Sequence, residues 1–243
     1  MYRKVYFCRY TSAPGPPGSN YKELRTNMKY ILPFLILPLL ALPSLNAQDT
    51  LSAIEELKKG VLLVRLPSNQ RKIQTMEEVL ANAESASSRR QLKKRLEATR
   101  EETRLFNESM VAAFREKYSF SDYRFFYDYQ TPALKQGNWD GIFLNENLEE
   151  TPGLEPESGP FMVLGFGKTK KDYSDGVEAM YFMDQELERM QEPFPYYQRL
   201  NDLAAFFYGI FPAPNQELRD ALRVVEKMNV KLQKHYERTK DRT

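Results

Sequence analysis

The chain has 243 residues, with 35 Lys and Arg against 33 Asp and Glu, and 42% of its residues are hydrophobic. This length is sufficient for one domain with a hydrophobic core. The only cysteine is Cys8 and the only histidine is His235. An internal disulfide and a zinc site of paired cysteines are therefore excluded. No motif indicates a metal or a cofactor, and we expect neither.

Residues 28–47 carry the clearest targeting signal. Met28-Lys29-Tyr30 is a short basic start, and residues 31–45 are a nearly continuous apolar run containing three prolines. The prolines disfavour a long membrane helix, and the run is short for a bilayer span. The pattern predicts a signal peptide cleaved after Ala47, hence a periplasmic or secreted protein. The alternative is an anchor retained over residues 31–45, and only then would a membrane be a partner.

Residues 1–27 are rich in Pro, Gly and Ser, and we interpret them as a disordered extension upstream of a translation start at Met28. Residues 1–47 hold six basic residues and one acidic residue. Residues 48–243 therefore keep 29 basic residues (35 less 6) and 32 acidic ones (33 less 1), a net charge of −3. This balance gives no support for nucleic-acid binding.

Residues 48–243 are predicted to form a single α+β domain. A short helix over 52–60 precedes an apolar strand at 61–66. Residues 70–117 lack proline and glycine, which favours one long helix or two in line, broken within 81–88. One face of its second half carries an apolar stripe over residues 92–113. We predict that this face lies across the protein's own sheet, with self-association as the alternative.

Further strands are predicted at 123–129, 141–144, 161–167 and 177–183, the last two forming a hairpin closed at Asp175-Gly176. The acidic loop 149–160 has three prolines and two glycines and is predicted to be mobile. Residues 143–150 resemble residues 182–189, which indicates two strand ends with the same turn chemistry.

A final helix is predicted after Asn215, which we expect to be its N-cap. The predicted fold is α+β, with a single mixed, mainly antiparallel sheet covered by the long charged helix and the C-terminal helix.

Residues 165–169 (Gly-Phe-Gly-Lys-Thr) are similar to the end of a phosphate-binding loop, but that loop requires a glycine where this chain has Met162. The residues that follow also indicate a turn rather than a helix. We therefore expect no nucleotide as a partner.

Carboxylates are the remaining candidates for catalysis, because a convergent pair of acids can hydrolyse glycosides without cysteine or histidine. Four of them lie at or near predicted strand ends: Asp128, Asp140, Glu146 and Asp184. Nearby aromatic residues are candidate ligand platforms: Tyr127, Tyr129 and Trp139. Ordinary turn acids have the same pattern, and for Trp139 we favour a core-filling role over that of a ligand platform.

The signal segment ending in Leu-Asn-Ala-Gln, the strand within 60–66, the long charged helix and the Pro-Phe-Pro-Tyr-Tyr segment at 193–197 together resemble small exported bacterial proteins of unassigned function. This resemblance implies no activity. We predict a non-enzymatic binding or interaction module of the cell envelope, with a protein or glycan partner. The alternatives are a carboxylate-dependent hydrolase or carbohydrate-binding protein, and a structural protein that self-associates through the long helix.

Overall fold

The computed structural model describes residues 53–157, 159–169, 176–200 and 215–241. These residues belong to one compact unit, Ser44–Thr243. The predicted leader over 1–47 lies outside the described residues, as do Ser52 and Asp175. No helix among the described residues is both long enough and apolar enough to span a bilayer.

The elements follow in the order α1 (53–59), β1 (Val61–Leu66), α2 (Gln70–Ala81), α3 (Ala86–Lys117), β2 (Asp122–Tyr127), a 3₁₀ turn (Asp128–Gln130), α4 (Thr131–Lys135), β3 (Phe161–Lys168), β4 (Glu178–Met183), β5 (Tyr197–Arg199) and α5 (Gln216–Lys240).

The five strands form one sheet in the order β2-β1-β3-β4-β5. Strand β1 pairs in parallel with both β2 and β3, whereas β3–β4 and β4–β5 are antiparallel. The α+β class and the mixed sheet are confirmed. Two of the four strand pairs are parallel and two are antiparallel, so the sheet has fewer antiparallel pairs than predicted. The helical crossover through α2 and α3 is what allows β1 and β2 to run in parallel.

The sheet has a hydrophobic core on each face. On one face, Leu62 and Val64 of β1 pack with Phe114 of α3 and Val225 of α5. This arrangement confirms that the long helix and the C-terminal helix cover the sheet. On the other face, the alternate β1 residues Val61 and Leu63 pack against the segment between β2 and β3.

The predicted strand at 141–144 is wrong, because this segment makes only isolated bridges, Phe126↔Phe143 and Leu144↔Glu150. Gly141 has a φ of +69°, which interrupts the extended backbone, and a turn begins at Asn145. The acidic loop that follows is hydrogen-bonded at both ends. The Thr151 N–H donates to the Phe143 carbonyl (2.9 Å), and the Pro160 carbonyl accepts from the Val61 N–H (3.1 Å). Its mobility stays a prediction.

The two similar segments form the same turn. Leu148 and Leu187 both have a φ of 63°. Asn145 Oδ1 accepts from the Glu149 N–H at 3.0 Å, and Asp184 Oδ1 accepts from the Glu188 N–H at 2.7 Å. The shared turn chemistry is therefore confirmed.

The helix break within 81–88 is also confirmed, since Ser85 caps α3 by accepting from the Ser88 N–H at 3.1 Å. The predicted N-cap role of Asn215 is wrong. Its φ is 57° and its side chain makes no capping hydrogen bond, because a left-handed backbone turns the side chain away from the first N–H groups of α5.

Candidate functional site

Two of the four candidate acids, Asp128 and Asp184, lie at opposite edges of the sheet. Asp128 follows β2 at the edge of the sheet where the parallel strands β1 and β2 end. Asp184 follows β4, whose last residue, Met183, pairs with Val163 near the start of β3. These are opposite edges, and the strand spacing and rise place the two residues about 20 Å apart. An acid pair for glycoside hydrolysis requires roughly 5 to 10 Å between its carboxyl groups.

Three of these acids have local structural partners. Asp184 closes the turn to Glu188, and Glu146 Oε2 lies 3.5 Å from Arg115 Nη2. Asp140 lies beside Glu155, whose pKa is lowered chiefly by hydrogen bonds from backbone N–H groups, its own first and that of Gly141 next. A general acid needs a raised pKa, whereas the pKa of Glu155 is lowered.

The three candidate aromatic residues differ in their ring contacts and in their exposure to solvent. Trp139 packs edge-on against Phe161 and Phe143, and its Nε1 donates to the Leu134 carbonyl at 3.3 Å, which is the core-filling arrangement. Tyr127 and Tyr129 stack on each other, with ring centroids 5.6 Å apart. The hydroxyl of Tyr129 donates to Glu150 Oε1 at 2.7 Å, yet the residue is 41% exposed. Tyr129 is therefore the aromatic side chain of the three that is open to a ligand.

The turn after β1 is fixed at three successive residues. Pro67 O accepts from Asn107 Nδ2 at 3.0 Å, Ser68 N–H donates to Asp128 Oδ1 at 3.0 Å, and Asn69 Nδ2 donates to Thr103 Oγ1 at 2.8 Å. Asn69 adopts a left-handed backbone with φ 52°, which asparagine tolerates well. The sequence thus builds a turn between β1 and α2 that three successive hydrogen bonds hold in place.

Sequence reasoning missed Arg65, the penultimate residue of β1. It lies on the same face as Val61 and Leu63. Its Nη2 donates to the hydroxyl of Tyr181 on β4 at 3.1 Å. Gly165 of β3 lies between them, and a Cβ there would come within 3.0 Å of both side chains. The signal in the sequence was a single charged residue in an otherwise apolar strand.

A second guanidinium lies on the same tyrosine. The Cζ atom of Arg189 is 4.0 Å from the ring centroid of Tyr181, and its Nη1 donates to the Thr169 carbonyl at 2.7 Å. Within the described ranges, neither arginine forms an ion pair with a carboxylate. Among the described residues, this part of the sheet therefore carries two guanidinium groups without a carboxylate ion-pair partner.

An open pocket of about 740 Å³ lies where Arg65 reaches the edge of the sheet. Its walls are the β1–α2 turn, the start of α2 and the start of α4. Three of its side chains are basic, Arg65, Arg71 and Lys72, and one is acidic, Asp128.

The pocket lies next to a topological switch point, which falls at the carboxyl ends of β1 and β3, because the chain leaves β1 for β2 on one side and leaves β3 for β4 on the other. In open sheets with parallel strands, ligands bind in the crevice beyond the carboxyl ends of the strands at such a point. The planar guanidinium of Arg65 can donate two parallel hydrogen bonds to a carboxylate or phosphate. Among the described residues, no group of three or more His, Asp or Glu is arranged to hold a metal ion.

Comparison of the chain with protein-family models, with curated proteins and with solved structures finds no match.

Proposed function

We propose that this protein is a non-enzymatic binding module that recognises an acidic ligand in the pocket at the carboxyl ends of β1 and β2. The observation that carries the proposal is Arg65, a half-buried arginine on the interior strand β1 that lines the pocket and has no carboxylate partner in the described ranges. A guanidinium stays charged at every relevant pH, and partial burial of a charge is costly unless an opposite charge or hydrogen bonds compensate. An anionic group in the pocket would supply that compensation.

The other pocket residues favour a ligand that also carries hydroxyl groups. The Asp128 carboxylate is a hydrogen-bond acceptor at the pocket wall, and the Ser68 hydroxyl and exposed ring of Tyr129 lie beside it. Carboxylates accept from sugar hydroxyls, and exposed aromatic rings pack on sugar faces. We therefore propose an acidic sugar, such as a uronic acid or sugar phosphate. The export signal predicted at residues 28–47 supports a periplasmic or secreted location.

Isothermal titration calorimetry with glucuronate, glucose and inorganic phosphate tests this proposal. We expect glucuronate to bind and glucose to bind at least 10-fold more weakly, because glucose lacks the anionic group. Arg65→Gln should weaken glucuronate binding at least 10-fold. Arg71→Gln, at an exposed position on the same pocket, should weaken it by a smaller factor without affecting the fold.

The matched control is Arg223→Gln, an exposed arginine of α5 that lies 3.9 Å from Asp220. It should bind glucuronate as the wild type does. Equal binding of glucose and glucuronate, or unchanged binding by folded Arg65→Gln and Arg71→Gln, would overturn the proposal. If phosphate binds and glucuronate does not, the pocket is an anion site, and the assignment of a sugar ligand is overturned.

A further inference from the structure

Helices α2 and α3 form an antiparallel hairpin that extends past the edge of the sheet. The hydrogen bond between Asn69 and Thr103 marks the level at which β1 ends. Residues 86–102 of α3 lie beyond that level, which corresponds to about 25 Å of helix. Met76 of α2 contacts Thr99 (S to Oγ1, 3.9 Å), and Glu77 pairs with Arg100. We call residues 78–95, at the far end of this hairpin, the tip.

The tip is poorly buried. No residue of α2 is fully buried, and the first fully buried residue of α3 is Leu96. Val79 is 48% exposed, and it lines an open depression together with Leu92 and Arg95. The tip therefore presents apolar side chains to solvent at the end of a projecting element.

The charge of the tip is opposite to that of the rest of the domain. Residues 78–95 hold five basic residues and two acidic ones, a net charge of +3. The remainder of residues 48–243 holds 24 basic residues (29 less 5) and 30 acidic ones (32 less 2), a net charge of −6. The positive charge is thus concentrated at the far end of the α2–α3 hairpin.

The distribution of ion pairs increases this difference in charge between the tip and the rest of the domain. Nearer the sheet, Arg104 pairs with Glu101 (2.6 Å) and Glu108 (2.7 Å). At the tip, Arg90, Lys94 and Arg95 have no ion pair within the described part of the chain. Arg90 and Lys94 are one turn apart on one side of α3, and Arg95 lies on another side. Because these charges spread around the helix, they match an extended anionic surface better than a single small ligand.

We propose that the tip docks this protein onto a membrane surface rich in anionic phospholipid. Basic side chains are attracted to such a surface, and apolar side chains among them enter the headgroup region. The inference is independent of the sugar-binding proposal, because the tip and the pocket share no residue.

Vesicle co-sedimentation tests the inference, using the protein as recovered after export, with its N-terminus established by mass spectrometry. Vesicles contain phosphatidylcholine alone or with 30% phosphatidylglycerol. We expect the wild type to bind the anionic vesicles at least 10-fold more tightly than the neutral ones, and 0.5 M NaCl to abolish the difference. The variant Arg90→Gln/Lys94→Gln/Arg95→Gln should lose at least 10-fold in binding to anionic vesicles.

The matched control is Arg219→Gln/Arg223→Gln/Lys234→Gln, which removes the same charge from exposed positions of α5. It should keep the wild-type affinity for vesicles, and both triple variants should keep the wild-type melting temperature. Equal binding to both kinds of vesicle, equal loss in both triple variants, or capture of an acidic protein without vesicle binding would overturn the inference. Glucuronate binding by the tip variant should remain unchanged, which separates this test from that of the pocket.

Discussion

Arg65 of β1 and Tyr181 of β4 meet across the intervening strand β3, with 3.1 Å between Nη2 and the phenolic oxygen. The two residues are two strands apart and would be separated by a side chain at most positions of a sheet. Gly165 is the β3 residue between them, and its missing side chain opens the space that they occupy. The direction of the Arg65 guanidinium therefore depends on a glycine.

Gly165→Ala tests that dependence. The new Cβ would lie 3.0 Å from Arg65 Nη2, from Tyr181 Cε2 and from Met183 Cε, so at least one of these groups must move. We expect a loss of about 1 to 3 kcal/mol in the free energy of unfolding, measured by urea denaturation. Gly159→Ala is the control, since its nearest atom would be 3.9 Å away. A Gly165→Ala protein as stable as the wild type would show that the space is not needed.

Phe114 of α3 is the aromatic centre of the larger core. It is fully buried and its ring lies within 5.5 Å of those of Tyr118, Tyr123 and Phe125. We expect Phe114→Ala to lower the free energy of unfolding by about 3 to 5 kcal/mol, because it leaves a cavity between α3 and the sheet. Val79→Ala, at an exposed position, should change it by less than about 0.5 kcal/mol. Similar values for the two variants in chemical denaturation would contradict this packing.

Asp128 holds the β1–α2 turn through its hydrogen bonds with Ser68. Asp128→Ala removes the acceptor of the Ser68 N–H and hydroxyl, and we expect a loss of about 1 kcal/mol in the free energy of unfolding. Faster amide exchange at Ser68 should accompany it. Asp122→Ala, at the exposed start of the same strand, should leave that exchange rate unchanged. Unaltered exchange at Ser68 in Asp128→Ala would argue against this role.

Glu155 makes the segment between β2 and β3 sensitive to acid. Its carboxylate accepts from the N–H groups of Gly141 (3.2 Å) and Gly153 (3.3 Å), and its pKa in the folded protein lies below the ordinary 4.5. Since the folded pKa is lowered, the stabilisation is present above pH 4.5 and is lost as the pH falls through the folded pKa.

Nuclear magnetic resonance can follow this titration through the amide shifts of Gly141 and Gly153. We expect both to titrate with a midpoint below pH 4.5, and the transition to disappear in Glu155→Gln. Glu157→Gln, two residues away, should retain the transition. A midpoint at or above 4.5 would mean that the backbone N–H groups do not stabilise the carboxylate.

Local patterns in the sequence were sufficient for much of the fold. The absence of proline and glycine between residues 70 and 117 predicts the helices, and the serines near residue 85 predict their break. The repeated strand-end segment predicts two turns of the same kind. In each turn, the side chain of Asn145 or Asp184 accepts from the backbone N–H four residues later.

The contact between Arg65 and Tyr181 depends on residues that are distant in the sequence, and local patterns do not reveal it. Arg65, Gly165 and Tyr181 come from three strands, and their proximity follows from the parallel pairing of β1 with β3 and the hairpin to β4. The candidate acids share a position at or near predicted strand ends. Strand ends lie at two opposite edges of a sheet, and the strand directions, which the sequence does not specify, separate Asp128 from Asp184.

A crystal structure of the protein soaked with glucuronate tests the central claim most directly. The proposed function predicts the sugar carboxylate at hydrogen-bond distance from the Arg65 guanidinium, with its hydroxyl groups facing Asp128 and Ser68. Glucuronate bound instead in a second pocket, beside Lys58 and Arg115 where β1 and β2 begin, with the Arg65 pocket empty, would contradict it.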